Sequence, residues 1–211
     1  MTAPLSPSDT LPTELPVVRL IPKANARAIR HGYPWVYANE MVLDRRTKGL
    51  APGTLAILQD ANRAPIGLVA FNPLSKIAAR MLDISVDAVI DQSWFEARIA
   101  RAQALRSKFY DAPYYRLIHA EADGLPGVVI DRFGDTLVVQ PNAAWVDGLL
   151  EPLCAALVAV TGAPNVLKNA GGRTRSLEGL DDVSGVLTGV LPDGPLPVPM
   201  NGATYMADLT G

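Results

Sequence analysis

Short apolar runs follow one another through the first part of the chain, and most have the length of a β-strand. The runs that predict strands lie at residues 17–21, 35–42, 54–59, 66–71 and 77–82. Asn25 is a favourable N-cap for residues 26–30, which are predicted to form a short helix. Residues 60–65 are expected to form a hairpin loop, and residues 45–49 a basic loop. Short strands with one small helix indicate a compact, β-rich pseudo-barrel.

The pattern changes between residues 85 and 92, where a helical period begins. Ser93 and Glu96 have the spacing of a capping box, which satisfies two free N–H groups at a helix start. Apolar side chains then recur every three or four positions and are predicted to face a core: Phe95, Ile99, Ala102, Leu105 and Phe109. We therefore expect two domains, residues 15–88 and residues 89–211. Residues 1–14, rich in Pro, Ser and Thr, are expected to form a flexible tail.

Strand and helix signals are mixed in the second domain. Strands are predicted at residues 136–140, 166–168, 186–190 and 203–208. A helix is predicted at residues 143–160, interrupted at Pro152, which should kink it or mark the start of its main segment. Gly171-Gly172 is predicted to lie in a loop, because no helical pattern follows it. Residues 191–199 contain four prolines and one glycine, which indicates an extended linker or loop. The predicted fold class is α+β, with the pseudo-barrel followed by a mixed α/β domain.

Residues 116–134 hold more polar chemistry between turn signals than any other segment. The two turn signals are Asp123-Gly124 and Pro126-Gly127, so the segment is predicted to form a strand, a tight turn and a second strand. If the first strand extends to Asp123, then His119, Glu121 and Asp123 lie on one face. These three side chains are candidates for a binding site. The alternative is a solvent-facing strand end with ordinary turn residues.

Charge is distributed unevenly along the 211 residues, although the formal net charge is only -2. Residues 15–85 carry ten basic and four acidic side chains, a net of +6, and residues 86–211 carry nine and fifteen, a net of -6. A basic module favours a polyanionic partner, since neutralised phosphates release counterions. Lys23, Arg27 and Arg30 share one face of the predicted first helix. A merely solvated basic face is the alternative.

Three motifs in one order resemble the RlmI-type methyltransferases, which use S-adenosylmethionine to methylate cytosine-5 of large-subunit ribosomal RNA. The motifs are Gly32-Tyr33-Pro34-Trp35-Val36-Tyr37, Glu121-Ala-Asp123-Gly124-Leu125-Pro126-Gly127 with Asp131-Arg132-Phe133-Gly134, and Arg175-Ser-Leu-Glu-Gly-Leu180. Two departures are visible, since Tyr33 stands where the family usually has His and Ala120 where it usually has Gly. The resemblance implies that residues 15–88 form a PUA domain and that residues 89–211 form the family's central domain.

The same resemblance implies that the chain recognises large-subunit ribosomal RNA. The candidate RNA-binding residues are Lys23, Arg27, Arg30, Tyr33, Trp35, Arg45, Arg46 and Lys48, in which the aromatic rings would stack on bases. The candidate substrate-pocket residues are Arg116, His119, Glu121, Asp123, Gly124, Pro126, Gly127 and Asp131. Trp35 could equally be a core residue, and the glycines of the turn could serve only its backbone conformation.

Features that the methyl-transfer reaction needs are not found in the sequence. No two glycines are separated by one residue, so the Gly-x-Gly-x-Gly turn that holds S-adenosylmethionine in class I methyltransferases is absent. Cys154, the single cysteine, lies in an apolar helical stretch and is expected to be buried rather than a nucleophile. We expect no catalytic, cofactor-binding or metal-binding residue in this chain, which would be the amino-terminal half of such an enzyme without its Rossmann-like domain. A cytoplasmic protein is expected, with no membrane segment and with a homodimer possible.

Two other functions stay open from the sequence. One is a stand-alone PUA-type RNA-binding protein without catalysis. The other is a metal-dependent enzyme that would use His119, Glu121 and Asp123 as ligands, although one imidazole with carboxylates in a turn commonly occurs without a metal.

Overall fold

The first sheet has five strands, and its two edge strands are joined. The computed structural model describes residues 15–200 and 202–209; the predicted tail at 1–14 lies outside them. The strands are β1 (Val17–Arg19), β2 (Trp35–Tyr37), β3 (Thr54–Gln59), β4 (Pro65–Phe71) and β5 (Ile77–Asp83), in the order β1-β3-β4-β5-β2. A bridge between Leu20 and Met41 joins the chain just after the two edge strands. The sheet therefore closes on itself, as a pseudo-barrel does.

Two short helices flank the barrel. Helix α1 (Ala26–Arg30) begins at Asn25, whose side chain accepts a hydrogen bond from the N–H of Ala28, as the sequence predicts. Helix α2 (Arg45–Lys48) replaces the predicted basic loop. Asp44 accepts a hydrogen bond from the N–H of Thr47 and caps this helix. The predicted strand at residues 35–42 is also shorter, because a 3₁₀ turn forms at Ala38–Glu40.

Strand β4 is buried on both faces. Val69 and Phe71 lie in the core inside the barrel, whereas Leu68 and Ala70 lie in a second, larger core that contains Phe95. Residues 66–71 are apolar apart from Gly67, which is the pattern of a strand without a solvent face. Strand β4 therefore contributes to two hydrophobic cores, one inside the barrel and one shared with the elements that follow it.

Helix α3 (Gln92–Arg106) connects the two sheets and begins slightly before the predicted start. Its N-cap is Asp91, which accepts from the N–H of Trp94; the predicted capping box at Ser93 does not form, because the Ser93 hydroxyl donates to Asp91 instead. Phe95, Ile99 and Ala102 are buried as expected. The predicted stripe is wrong at its end, because the helix stops before Phe109, which is 75% exposed, and Leu105 is 46% exposed.

The second sheet also has five strands. They are β6 (Tyr114–His119), β7 (Val128–Phe133), β8 (Thr136–Pro141), β9 (Asn165–Lys168) and β10 (Gly185–Thr188), in the order β10-β9-β8-β7-β6. Within this sheet, β8 and β9 pair in parallel and the other neighbouring strands are antiparallel. The helix predicted at 143–160 is two helices, α4 (Ala144–Asp147) and α5 (Leu150–Thr161), with Pro152 in the first turn of α5, where its missing N–H is tolerated. Helix α5 packs beside α3.

The last elements include one helix that the sequence did not predict. Helix α6 (Arg173–Glu178) follows the Gly171-Gly172 pair, where a loop was expected. Strands β11 (Leu196–Met200) and β12 (Ala203–Ala207) then pair as an antiparallel hairpin, so part of the predicted linker is a strand. The whole is a mixed α/β architecture. Among the described residues, no helix is both long enough and apolar enough to cross a bilayer.

Candidate functional site

The predicted turn does not place its three polar side chains on one face. Strand β6 ends at His119, and a 3₁₀ helix follows at Ala120–Asp123, so the alternation expected up to Asp123 stops. Ala120 has φ +45°, a left-handed conformation in which an L-side chain is disfavoured. Glycine would adopt it freely. This turn sends Glu121 and Asp123 towards different partners.

Asp123 is buried and fixes the turn to helix α3. Its two carboxylate oxygens accept from Arg106 at 2.9 and 2.6 Å, and one of them also accepts from the N–H of His119 at 2.7 Å. Arg106 donates in addition to the carbonyl of Arg116. Every oxygen of the Asp123 carboxylate is therefore used inside the protein, which is the arrangement of a structural carboxylate. His119 itself is exposed.

Glu121 instead reaches the first sheet. Its Oε1 atom accepts from Nε1 of Trp35 at 2.8 Å and lies 3.4 Å from Nη1 of Arg80. Trp35, which the sequence predicted as a stacking residue or a core residue, is thus partly buried at the junction of the two sheets. Tyr33 lies beside it, in an edge-to-face contact with ring centroids 6.5 Å apart. Two motifs that are 86 positions apart in sequence meet at this hydrogen bond.

A buried polar cluster continues from Glu121 to helix α6. Arg80 donates to Glu178 at 3.0 Å, and Glu178 also accepts from Ser75 and Asn72. Both charged side chains are almost completely buried. Sequence reasoning assigned no role to either residue. A charge inside the apolar strand 77–82 was the available signal, since such a charge is buried only when it is paired.

Arg175 forms a second buried centre on the same helix. It is 1% exposed, and its guanidinium donates to Asp147 at 3.1 and 2.9 Å, to the carbonyls of Asp181 and Pro141, and to the Asp181 carboxylate. The hydrogen bonds that it donates to Asp147 raise the pKa of Arg175 above its usual value. Because Arg175 and Glu178 are three positions apart, one face of α6 contacts both parts of the molecule. The third sequence motif therefore has a structural role, and we call its buried pair, Arg175 and Glu178, the clasp.

We call the barrel with α1 and α2 the first part of the molecule, and the elements from α3 onwards the second part. A cleft of about 260 Å³ opens where the two parts meet. The first part contributes the α1–β2 connection, including Gly32, Tyr33 and Pro34, and the end of β5. The second part contributes Glu121, Gly124 and Pro126 from the turn after β6. The cleft thus brings together residues that the sequence predicted separately as RNA-binding and as substrate-pocket residues. The carbonyl of Pro126 also accepts a hydrogen bond from Nε1 of Trp145.

The charged groups in the cleft wall are already paired. Arg98 donates to Asp83 at 2.9 Å and stacks on the Trp94 ring, with its Cζ atom 3.4 Å from the ring centroid. Burial alone would raise the pKa of Asp83, but hydrogen bonds from the Ser85 N–H, Trp94 and Arg98 hold it below its usual value. The charges of Arg98 and Asp83 therefore neutralise each other within the wall. The cleft carries little net charge.

The six predicted RNA-binding cations lie in two groups, one on and before α1 and the other on α2. Lys23, Arg27 and Arg30 are exposed on and before α1, but Arg30 pairs with Asp60 at 2.7 Å. Helix α2 carries the other three, Arg45, Arg46 and Lys48. Arg46 donates to the carbonyl of Val17 at the start of β1. Within the described residues, Lys23, Arg27, Arg45 and Lys48 form no ion pair.

The remaining predicted pocket residues are divided between the turn and the strands. Arg116 and Asp131 pair across β6 and β7 at 2.8 and 3.1 Å, away from the cleft residues. Gly124 and Gly127 have φ +76° and +74°. A Cβ atom at Gly127 would lie 2.6 Å from the Cβ of Ala143, so this glycine is required by packing as well as by its backbone.

Neither a nucleophile nor a metal centre is evident in the described part of the chain. Burial raises the pKa of the Cys154 thiol to about 11, which keeps it protonated at neutral pH. Glu121 and Asp123 bind different arginines, so they do not converge with His119 on one point. No group of three or more His, Cys, Asp or Glu side chains at residues 15–200 or 202–209 is arranged to hold a metal ion.

A cofactor site for S-adenosylmethionine does not fit these residues either. The nearest glycine pair, Gly171-Gly172, follows β9 and leads into α6. However, the polar side chains of that helix that face inward, Arg175 and Glu178, are consumed by protein partners. Gly172 has φ +123°, which favours glycine, and an added Cβ atom would meet no protein atom within 4 Å, so the backbone conformation and not packing inside the protein requires glycine there.

Comparison with known proteins identifies relatives along most of the chain. A family model described as a PUA-like domain matches residues 18–83. Ribosomal RNA large subunit methyltransferase I of Shewanella denitrificans is 33% identical over 190 residues, which cover 87% of this chain and 47% of that protein. The protein of the same name from Cronobacter sakazakii is 31% identical over 198 residues, which cover 92% of this chain and 50% of that protein. The chain spans about half the length of the curated relatives it matches.

Solved structures share the fold. A putative SAM-dependent methyltransferase from Streptococcus mutans superposes with a TM-score of 0.75 at 16% identity, covering 92% of this chain and 48% of that one. A putative methyltransferase complexed with SAH superposes with a TM-score of 0.71 at 15% identity, covering 92% and 47%. Both superpositions include the barrel and the second sheet, since they cover nine-tenths of this chain.

Proposed function

Because this chain contains a PUA-like domain and is a homologue of ribosomal RNA large subunit methyltransferase I proteins over about nine-tenths of its length, we propose that it is the RNA-recognition part of an rRNA (cytosine-5) methyltransferase. The first sheet with its helices binds large-subunit ribosomal RNA, and the second part orients the bound strand. The proposal places the protein in the cytoplasm, where its substrate would be made.

The observation that carries this proposal is that the short helix α1 both bears an exposed cation and contributes to the lining of the cleft. Helix α1 holds Arg27 in solvent, while Ile29 of the same helix and Gly32 after it line the cleft. Because α1 is only five residues long, a strand whose phosphates contact Lys23 and Arg27 has a short distance to cover to the cleft. Phosphate contacts of this kind fix the register of a strand without reading its sequence.

We assign methyl transfer itself to the half of the relatives' length that does not align with this chain. S-adenosylmethionine supplies the methyl group in such enzymes. We expect the isolated chain neither to bind S-adenosylmethionine nor to methylate RNA, because its sequence has no Gly-x-Gly spacing and the pKa of its single thiol is raised to about 11 by burial. Isothermal titration calorimetry with the cofactor tests this directly, and binding in the micromolar range would contradict it.

The experiment for RNA recognition is filter binding to large-subunit ribosomal RNA over a series of salt concentrations. The wild-type affinity should fall steeply with salt, because counterions are released from the phosphates. The double variant Lys23→Ala, Arg27→Ala should bind more weakly, with the logarithmic salt slope reduced by about 1 for each phosphate contact removed.

A matched control removes the same amount of charge elsewhere. Lys108 and Arg173 are exposed cations of the second part, so Lys108→Ala, Arg173→Ala lowers the net charge equally. This control should retain the wild-type slope. If both double variants lose affinity to the same degree, only overall charge matters and the α1 surface is not the binding site. If wild-type affinity is insensitive to salt, the phosphate contacts themselves are refuted.

A further inference from the structure

One oxygen of Glu121 has no hydrogen-bond partner among the described residues. Trp35 and Arg80 both contact Oε1, whereas no hydrogen bond from that part of the chain reaches Oε2. That atom is not among the buried polar atoms that lack a partner, so it remains in contact with solvent. Glu121 also lines the cleft. The carboxylate is therefore held in place on one side and open to a hydrogen-bond donor on the other.

We propose that the cleft binds one unpaired RNA base and that Glu121 selects a base with an exocyclic amino group, cytosine or adenine, over uracil. This inference rests on the proposed RNA-binding function. A carboxylate can only accept hydrogen bonds, and it recognises the amino group of cytosine in this way. Uracil presents a carbonyl oxygen at the equivalent position, which would face the carboxylate without a proton between them.

The charge of the cleft decides which part of a nucleotide enters it. Arg98 is the basic residue in its lining, and it pairs with Asp83. Arg80, which contacts Glu121 without lining the cleft, pairs with Glu121 and Glu178. No unpaired cation of the described chain is among the residues that line the cleft. A phosphate would lose its hydration there without gaining a counter-charge. A neutral base loses much less, and its phosphates can remain outside near Arg27.

The remaining walls suit the flat faces of a base. Leu82, Met81 and Pro126 supply apolar surface, and Tyr33 stands at the rim with 43% of its surface exposed. An exposed aromatic ring offers a stacking surface to an unpaired base. The volume of about 260 Å³ lies below the roughly 300–1,000 Å³ of pockets that hold drug-sized ligands, which favours a single base.

Three short, unstructured RNA oligomers of equal length test the proposal: oligocytidine, oligoadenosine and oligouridine. Binding of each to the whole chain is measured by fluorescence anisotropy at one fixed, low salt concentration. Wild type should bind oligocytidine and oligoadenosine about tenfold more tightly than oligouridine, at the low end of the 1–3 kcal/mol of a good base contact.

Glu121→Gln is the decisive variant. The amide oxygen can still accept from Trp35 and Arg80, which turns the amide nitrogen towards the cleft as a donor. The preference should then be lost or reversed towards oligouridine. Because this substitution also removes the charge beside Arg80, its melting temperature is recorded, and the ratio of affinities within the variant is compared rather than the affinity alone.

A second pair of variants is independent of that buried charge. Tyr33→Ala should weaken binding of all three oligomers, whereas Tyr33→Phe should retain it, because stacking needs the ring and not the hydroxyl. Tyr110 is a matched control, since it is 50% exposed and also packs against another aromatic ring, that of Tyr115. Tyr110→Ala should bind like wild type.

The outcomes separate this inference from the proposed function. Binding of all three oligomers without a base preference, unchanged in Glu121→Gln and Tyr33→Ala, refutes the base pocket and leaves the phosphate-binding surface intact. A preference for oligouridine in wild type also refutes it. If wild type binds neither ribosomal RNA nor any oligomer, both the pocket and the RNA-recognition function are refuted.

Discussion

The exposed cations of α1 and the buried cations at the junction are the same kinds of side chain with opposite uses. Arg27 lies in solvent and forms no ion pair among the described residues, whereas Arg80 and Arg175 are buried and hydrogen-bonded to carboxylates. An exposed guanidinium keeps its donors for a partner. A buried one must satisfy them inside the protein, because an unpaired buried charge is costly.

The exposed cation is proposed to bind RNA, whereas the buried arginines hold elements of the protein in place. Arg27 of α1 forms no ion pair within the described chain that the fold would lose, whereas the buried cluster joins the first sheet to the turn after β6. Glu121 belongs to both groups, because its Oε1 atom accepts a hydrogen bond from Trp35 inside the protein and its Oε2 atom is open to solvent. Substitutions on the two sides should therefore have effects of very different size on stability.

The largest effect is expected at Arg175. Arg175→Ala leaves Asp147 without its main partner and empties a fully buried position, so unfolding free energy should fall by about 3–5 kcal/mol. Urea denaturation followed by tryptophan fluorescence measures this loss. Arg173→Ala, on the exposed side of the same helix, is the control and should change little. Equal stability of the two variants would mean that the clasp does not hold the structure together.

A smaller loss is expected from Asp123→Asn. The side chain keeps its shape, but the charge-assisted pair of hydrogen bonds from Arg106 is lost, which should cost about 1.5–3 kcal/mol. The same substitution in a full-length relative should lower the melting temperature with little change in methylation rate at a temperature where the variant is folded. A fall in rate without a fall in melting temperature would instead give Asp123 a direct role with substrate.

A third prediction concerns how the stability of the fold falls at acid pH. The pKa of Asp83 is held below its usual value, so its ionised form stabilises the fold above the unfolded pKa of about 4 and this contribution is lost as pH falls below it. Asp83→Asn should flatten the dependence of melting temperature on pH between about 4 and 2. An unchanged slope in that variant would assign the acid sensitivity to other carboxylates.

The smallest stability effect is expected from Lys23→Ala, Arg27→Ala, although this variant should have the largest effect on RNA binding. Neither side chain is buried or paired within the described structure, so the free energy of unfolding should stay within about 0.5 kcal/mol of wild type. Differential scanning fluorimetry is sufficient to measure it. A loss comparable to that of Asp123→Asn would show that the exposed cations are also structural.

Local signals in the sequence predicted local structure well. Strand β3 has the predicted bounds, and α1 begins at its predicted cap, because an Asn side chain and the neighbouring N–H groups decide this within a few residues. Helix α2 was missed even though Asp44 stands at a good capping position before it. The resemblance to RlmI-type enzymes agrees with the relatives found for the chain.

Long-range contacts decided what the sequence pattern could not. The strand period predicted one face for Glu121 and Asp123, but Ala120 turns the chain with a positive φ, and the two carboxylates bind arginines from different elements. Arg80 and Glu178 are 98 positions apart, so no local pattern joins them. The roles proposed for the RNA-binding and pocket residues stay predictions until binding is measured.

Strand β4 has a consequence for how the molecule unfolds. Leu68 and Ala70 lie in one core and Val69 and Phe71 in the other, so neither core can open while β4 keeps its place. Backbone amides of β4 should consequently exchange with deuterium only through global unfolding, and at the same free energy as those of β7 in the second sheet. The barrel and the second sheet would then form a single cooperative unit, without a stable half-folded state.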